Sequence, residues 1–501
     1  MLRFLRFPLL VLFAATCCLP KAFSTDGPFA GAVPVSADFA AGFSSITEEQ
    51  SREILSTLVG GEMRGRGTGQ EGFQKAAVWV AEQLKACGFE PAGENGSWYQ
   101  NMPFIRLNTL PDQCQVQIAG KSCVVGTDVG ISSWNGEYKG DLQIVLVKLG
   151  EQRPEITEGQ FANCLVVVRG RRRFAADDAW LLKGKPAAVM LVADGGQVRN
   201  EAVNQTEQQP SAFPAVSVVR SAANLIAAAC GQDAQFFPEG EPAESALLTV
   251  ESAVKASCSL AVERDPIDVP NVIGWYPGSD PALRHEHICI GAHLDHLGVQ
   301  RGELYPGADD NGSGSAAIIQ IAKAIHANPV KPRRSVLFIA FCAEERGLLG
   351  SRHYARNPTK PLDDMLCMLN IDMIGRDEEL PNEPADQNRN TIHLVGSQLE
   401  STGFHQLVLE MNRHVGFVFE YDEEQTVAYR SDQASFADKG IPVSFLFGGF
   451  NPYYHKTTDT MDGINFSKIA NAARLNYLVL MRAAESGRFT KDVKAAAEKK
   501  Q

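Results

Sequence analysis

Three short runs of apolar residues in the second half of the chain constrain its fold most strongly. They cover residues 288–290, 336–341 and 365–371, and they are rich in Ile, Val, Leu and Phe. Continuous apolar runs of this length are typical of strands that are buried on both faces of a sheet. Residues 316–325 have the composition of a helix. The pattern predicts an α/β fold, with a mixed β-sheet flanked by helices.

Side chains that can bind metal ions follow each of the three runs. His293 and Asp295 come after the first run, Glu344 and Glu345 after the second, and Asp372 after the third. Open α/β sheets bind their ligands outside the carboxyl ends of the strands. We therefore expect these side chains to converge at one edge of the sheet.

Two further stretches add residues of the same kind. Asp310 lies in a glycine-rich segment just before the predicted helix, where a carboxylate is favourable near the helix N-terminus. Tyr454 and His455 lie in the segment 453–460. Taken singly, each stretch has an ordinary explanation, such as a solvated histidine or a turn that caps a helix. Taken together, they predict a hydrolytic site with two divalent metal ions.

The order and spacing of these five stretches resemble the M28 metallopeptidases, aminopeptidase Y-like enzymes with two co-catalytic zinc ions. The resemblance implies that His293 and Asp372 bind one zinc ion, and that Glu345 and His455 bind the other. It implies that Asp310 bridges the two ions.

The same resemblance gives roles to three residues that do not bind metal. Glu344 is expected to be the general base and acid, and Asp295 to orient a metal ligand. Tyr454 is expected to help polarise the substrate. His296 lies close to these positions but matches no ligand.

The function that follows is a dinuclear zinc exopeptidase acting on peptides, most simply an aminopeptidase. A carboxypeptidase of the glutamate carboxypeptidase type is one alternative, although such proteins continue much further after the last histidine. A glutaminyl cyclase-like transferase is another, although it uses a single zinc ion and lacks a residue matching His293. A receptor-like protein on the same scaffold would be expected to have lost ligands.

The first part of the expected catalytic domain, residues 25–130, is separated from the metal motifs. Its segment 71–87 has apolar residues at helical spacing, and Gly88 is a typical helix stop. Residues 131–254 hold short β-rich runs and resemble the protease-associated (PA) domain; an unrelated α/β insertion is the alternative. Residues 255–501 form the second part of the catalytic domain.

The first 24 residues have the pattern of a cleavable signal peptide. Arg3 and Arg6 precede a short apolar stretch, and Ala22 and Ser24 fit a small-x-small cleavage site. An uncleaved anchor and a lipid attached to a cysteine are the alternatives. The pattern predicts a secreted or periplasmic protein.

Overall charge and cysteine content narrow the remaining possibilities. The net charge of −12 argues against binding to nucleic acid or to an anionic membrane surface. Beyond the signal segment, no apolar run is long enough to span a bilayer. The positions of Cys114 and Cys123 are compatible with a disulfide across a hairpin, or with two unpaired thiols.

Overall fold

The computed structural model describes residues 27–492, except for 119, 131–133, 135, 151, 170–173, 194–197, 199–200, 206–213, 241, 243, 301, 380–382 and 422–427. The predicted signal peptide, residues 1–24, lies outside the described residues. Among the helices of the described part, none is both long and apolar enough to cross a membrane.

The helices and strands follow one another throughout the described chain. The helices are α1 (Ala37–Ser45), α2 (Glu48–Leu58), α3 (Glu71–Ala86), α4 (Phe174–Gly184), α5 (Arg220–Ala229), α6 (Gly314–Ala327), α7 (Leu349–Arg356), α8 (Ser397–Glu400), α9 (Thr402–Asn412), α10 (Gln433–Ala437) and α11 (Phe466–Glu485). The strands up to the end of the second sheet are β1 (Glu90–Pro91), β2 (Tyr99–Thr109), β3 (Gln115–Ile118), β4 (Lys121–Cys123), β5 (Val129–Gly130), β6 (Gly136–Lys148), β7 (Cys164–Arg169), β8 (Ala188–Ala193), β9 (Glu201–Gln205), β10 (Ala215–Val219) and β11 (Ala246–Leu260). The later strands are β12 (Val262–Tyr276), β13 (His287–His293), β14 (Gly298–Gln300), β15 (Glu303–Tyr305), β16 (Ser335–Phe341), β17 (Met365–Asp372), β18 (Thr391–Val395), β19 (Val418–Glu420) and β20 (Val443–Phe447).

The larger sheet carries the predicted metal ligands. Its strand order is β19-β18-β20-β17-β13-β16-β12-β2-β9, and β1 pairs with β12. The four central strands β20, β17, β13 and β16 are parallel to one another, whereas β12, β2, β9 and β18 add antiparallel pairs. This arrangement confirms the predicted mixed sheet, and the three apolar runs are β13, β16 and β17.

Both faces of this sheet are covered, because alternate residues of each central strand point in opposite directions. Val336, Phe338 and Ala340 of β16 belong to one core, which also includes residues of α3, α6 and α11. Leu337 and Ile339 of the same strand pack in a second core, with residues of α7 and α10. Burial on both faces explains why the run contains no polar residue.

The segment before β1 forms the helices that the sequence predicts. The Thr47 hydroxyl caps α2 by accepting a hydrogen bond from the backbone N–H of Gln50, at 3.1 Å. Helix α3 buries Phe73, Val80 and Leu84, and Gly88 after it has a φ of +78°, which glycine adopts without strain.

The chain between β2 and β12 builds a second sheet, except for β9, which pairs with β2 at the edge of the first sheet. Its strand order is β4-β3-β11-β6-β7-β8-β10-β5, and it has its own core. The β-rich runs of the predicted insert are β6, β7, β8 and β10. The sheet also includes strands outside 131–254, since β3, β4 and β5 precede it and β11 ends at Leu260. Both the PA identity and the domain limits stay predictions.

Cys114 and Cys123 do not form the disulfide considered above, and both are free thiols. The hairpin register explains why: Val116, and not Cys114, lies opposite Cys123.

Candidate metal centre

The predicted site residues meet at the carboxyl ends of the central strands. His293 is the last residue of β13 and Asp372 the last residue of β17. Glu344 and Glu345 follow β16 in a turn where Ala343 has a φ of +52°. His293 was expected just past a strand end, and it lies instead within the strand. Parallel alignment of the strands brings these side chains together, as the sequence predicts.

One group of ligand-type atoms surrounds His293. Its Nε2 lies 3.3 Å from Asp372 Oδ1, 3.4 Å from Asp310 Oδ1 and 4.0 Å from Glu344 Oε2. Its Nδ1 lies 2.9 Å from the backbone carbonyl of Asp295, which can only accept a hydrogen bond. Nδ1 therefore carries the proton towards that carbonyl, and Nε2 faces the carboxylates.

A second group surrounds the other side of Asp310. His455 Nε2 lies 3.1 Å from Asp310 Oδ2 and 3.1 Å from Glu345 Oε2. Asp310 thus presents one oxygen to His293 and the other to His455. A carboxylate placed in this way has the geometry of a bridge between two cations.

His296 belongs to this second group, although sequence reasoning gave it no role. Its Nδ1 is 2.8 Å from Glu345 Oε1 and 3.6 Å from Asp310 Oδ2, and its side chain is fully buried. The available signal was its closeness in sequence to His293, the last residue of β13. A lone histidine in such a loop is not specific enough to assign.

Hydrogen bonds from outside these groups fix the carboxylates. The Ser431 hydroxyl donates to Asp372 Oδ2 at 2.8 Å. Asp295 is fully buried, and its Oδ1 accepts from the backbone N–H of Glu344 at 3.0 Å. Asp295 therefore contacts His293 through its backbone carbonyl and the Glu344 turn through its carboxylate, and the orienting role of the carboxylate stays a prediction.

The segment carrying Asp310 is held by a buried aspartate. Asp459 Oδ2 accepts hydrogen bonds from the backbone N–H groups of Asp309 and Asp310, at 3.0 and 3.1 Å. Arg376 donates to Asp459 Oδ1 at 3.2 Å. Asp309 accepts from the backbone N–H of Gly375, and its pKa is raised to about 7 by burial and by Asp459. These contacts fix the backbone on which Asp310 stands.

The electrostatics of the two groups favour bound cations. Burial lowers the pKa of His455, but hydrogen bonds to Asp310 and Glu345 outweigh it and raise that pKa to about 10. Burial raises the pKa of Glu345, but His296 and His455 outweigh it and lower that pKa. Burial raises the pKa of Glu344 well above its usual range, against the charge on His293. Without metal, the clustered carboxylates are balanced by protons on histidines.

The donor set fits two zinc ions. The ligand atoms at this site form two sets of three, and the atoms within each set lie within 4.8 Å of one another. One set is from His293, Glu344 and Asp372, and the other is from His296, Asp310 and Glu345. His296 Nδ1 and Glu345 Oε1 are buried 2.8 Å apart and, among the described residues, have no other close partner except Asp310, 3.6 Å from Nδ1. Buried polar atoms normally have partners, and a cation held between an imidazole nitrogen and carboxylate oxygens would supply one here. Imidazole nitrogens and carboxylate oxygens are zinc ligands.

A pocket with both polar and apolar lining opens beside the two groups. His293, Asp310, Glu344, Asp372 and His455 line it, together with Arg430 and Ser431. Its apolar lining is made by Met373, Phe445, Phe447, Phe450 and Tyr454. The Tyr454 ring stacks on His455 with ring centroids 3.8 Å apart, so the tyrosine lies directly beside the metal-type residues.

The fold and the site together define an α/β scaffold that carries a candidate centre for two metal ions. Residues 271–480 match the sequence profile of peptidase family M28. The match covers the part of the chain that holds the metal motifs, and it confirms the resemblance of these motifs to M28 peptidases.

Curated relatives match the same part of the chain. Leupeptin-inactivating enzyme 1 of Streptomyces exfoliatus is 31% identical over 216 residues, which are 39% of this chain and 44% of that protein. Aminopeptidase YwaD of Bacillus subtilis (strain 168) is 29% identical over 221 residues, 42% of this chain and 44% of the relative. The chain thus spans about half the length of the curated relatives it matches.

Solved structures support the fold over nearly the whole chain. The zinc aminopeptidase BSAP from Bacillus subtilis superimposes with a TM-score of 0.59 at 16% identity, covering 89% of this chain and 98% of that one. An aminopeptidase from Aneurinibacillus sp. strain AM-1 gives a TM-score of 0.56 at 19% identity, covering 90% and 97%. At these identities the likeness concerns the fold.

Proposed function

We propose that the protein is a dinuclear zinc aminopeptidase that removes N-terminal residues from peptides. The observation that carries the proposal is the placement of Asp310 between His293 and His455, with Glu345 and Asp372 on either side. His293 and Asp372 would hold one zinc ion, Glu345 and His455 the other, and Asp310 both. His296 is a further candidate ligand of the second ion.

Bound zinc ions would supply Lewis-acid polarisation and lower the pKa of a water molecule to about 7. The Glu344 side chain extends from the turn after β16 into the pocket beside the metal centre, and it is not one of the proposed metal ligands. It is suited to accept a proton from water and to deliver it to the amine that leaves. Nearby cations would also stabilise its ionised form against the effect of burial.

The pocket supports a preference for apolar N-terminal residues. An aromatic-lined cavity next to the metal centre would accept an apolar side chain, while the carboxylates around it suit the positively charged α-amine of a substrate. Several relatives are named as leucine aminopeptidases, which fits this preference. Tyr454 lines the pocket and stacks on His455, and its hydroxyl group is assigned to polarising the scissile carbonyl.

A screen of unblocked, N-acetylated and C-terminally amidated peptides, with mass detection, tests the direction of cleavage. The proposal expects successive loss of N-terminal residues, faster for leucine or phenylalanine than for aspartate, and no cleavage of acetylated peptides. Loss of residues from the C-terminus would indicate a carboxypeptidase instead. Conversion of N-terminal glutamine to pyroglutamate without cleavage would indicate a cyclase.

We further propose that residues 1–24 direct export and that a PA-like insert at about 131–254 influences access to the site. The lining residues of the pocket lie outside 131–254, which supports a role in access and not in chemistry. The size of the mature secreted protein, measured by mass spectrometry, tests the first point.

A further inference from the structure

The loop at residues 64–69 precedes the metal motifs by more than two hundred residues, yet its side chains reach them. Arg66 is fully buried, and so is almost all of Thr68. Both residues lie outside the matched segment 271–480. In the sequence this glycine-rich stretch indicates only a loop, so its burial against the site calls for a physical reason.

Arg66 binds four backbone carbonyls with its guanidinium group. Its Nε donates to Leu294 at 2.8 Å, and its Nη2 to Gly307 at 2.7 Å. Its Nη1 donates to Leu58 at 2.8 Å and to Pro306 at 3.1 Å. Hydrogen bonds from a charged donor are stronger than neutral ones. One side chain thus joins the segment after His293 to the segment before Asp310.

Thr68 acts on a different residue of the same segment. Its hydroxyl donates to Asp295 Oδ2 at 2.7 Å, in a fully buried contact. The other oxygen of Asp295 accepts from the backbone N–H of Glu344. Thr68 therefore fixes Asp295, which contacts His293 through its backbone carbonyl and the turn of Glu344 and Glu345 through its carboxylate.

The backbone of the loop is also held against the site. The carbonyl of Arg66 accepts a hydrogen bond from the N–H of His296 at 3.2 Å. Arg66 has a φ of +52°, in the left-handed region that non-glycine residues rarely adopt. Gly65 has a φ of +69°, and a Cβ there would lie 2.0 Å from the carbonyl oxygen of Tyr305. Such backbone strain persists where surrounding contacts determine the conformation, often at functional sites.

The positive charge of Arg66 is stabilised by the carboxylates around it. Burial lowers its pKa to about 10, against the opposing effect of Asp459, Asp310, Asp295 and Glu345, so the guanidinium stays charged at neutral pH. It is thus a permanent cation within the field of the carboxylates that would bind metal.

We propose that Arg66 and Thr68 are positioning residues of the metal centre, through which the N-terminal part of the chain sets the geometry of the ligands for both ions. This inference rests on the proposed metal centre but not on the direction of cleavage. Arg66 would fix the segments of His293, His296 and Asp310, and Thr68 would fix Asp295.

Zinc affinity measured by chelator competition, together with kcat and KM, tests the inference in the full-length protein. Thr68→Val keeps the shape but removes the hydroxyl donor, so zinc affinity should fall about 10–100-fold, as for other groups that orient metal ligands. The value of kcat should fall and KM should change little. Thr68→Ser keeps the donor and should restore both towards wild type.

Arg66→Ala should weaken zinc binding more, and guanidinium chloride at a non-denaturing concentration should restore part of the affinity, whereas sodium chloride should not. Arg64→Ala is the matched control, because Arg64 lies in the same loop with an exposed side chain. It should bind zinc like the wild type.

Thr68→Val with wild-type zinc affinity and kcat would overturn the inference, even if Arg66→Ala does not fold. Equal loss in Thr68→Val and Thr68→Ser would overturn it too, because the hydroxyl would then not matter. A wild-type protein that binds zinc but cleaves no peptide would contradict only the proposed function, and one that binds no zinc would contradict both.

Discussion

Replacing Glu344 by glutamine should separate catalysis from metal binding. The substitution keeps the size of a side chain that lies 4.0 Å from His293 Nε2, and it removes the proton acceptor. General acid–base catalysis typically contributes about 10²–10⁴-fold. The expected fall in kcat corresponds to about 2.7–5.4 kcal/mol of transition-state stabilisation.

Glu345→Gln is the matched control, because it is the same change at the adjacent position. Glu345 lies within 3.1 Å of His455 and 2.8 Å of His296, among the candidate ligands of one ion. This variant should lose one zinc ion and some thermal stability, since metal binding contributes to folding free energy. Added zinc should restore part of its activity.

Zinc content and single-turnover rates should be measured on the same preparations by elemental analysis and stopped-flow mixing. The reasoning predicts two zinc ions and a slow chemical step for Glu344→Gln, and one ion for Glu345→Gln. A Glu344→Gln variant that keeps most of its kcat would refute it. So would loss of zinc in Glu344→Gln with full zinc in Glu345→Gln, which would reverse the two roles.

Three other predictions concern the surroundings of the centre. Ser431→Ala removes the hydrogen bond to Asp372 and should lower zinc affinity about 10–100-fold, measured by chelator competition. Unchanged zinc affinity would show that Asp372 needs no hydrogen-bond partner to bind zinc. In metal-free protein the raised pKa of His455 contributes stability that is complete below about pH 6.5 and is lost as pH rises through about 10. The Tm should therefore fall as pH rises through that window. The fall should be smaller in the zinc-loaded protein and in His455→Gln. Replacing residues 111–260 by a short linker, which removes the whole second sheet together with the edge strand β9, should raise KM for long peptides more than for dipeptides, and equal kinetics at every length would remove any role of this region in access.

The central strands and the residues at their ends could be predicted because a strand that is buried on both faces needs apolar residues at successive positions. Such a strand therefore appears in the sequence as a continuous apolar run. The ends of β13, β16 and β17 therefore located His293, Glu344 and Asp372 without tertiary information. Helix α3 was predictable from its apolar spacing and from Gly88.

The limits of the second sheet could not be predicted in the same way. Strand β3 alternates exposed and buried residues, and β4 is mostly exposed, so neither leaves a continuous apolar run. The free thiols of Cys114 and Cys123 depend on the register of these strands, which the sequence alone does not specify.

The residues that support the site were missed for another reason. Arg66 and Thr68 act across more than two hundred residues of sequence, and His296 has no local partner in the chain. Their roles depend on which segments meet in space, and the glycine-rich loop around them has no distinctive pattern of its own.

The most direct test of the metal centre is a crystal structure of zinc-loaded protein with diffraction data collected at the zinc absorption edge. Our account predicts two anomalous peaks on opposite sides of the Asp310 carboxylate, one beside His293 and Asp372 and the other beside Glu345 and His455. A single peak, or peaks away from Asp310, would contradict a dinuclear centre bridged by that residue.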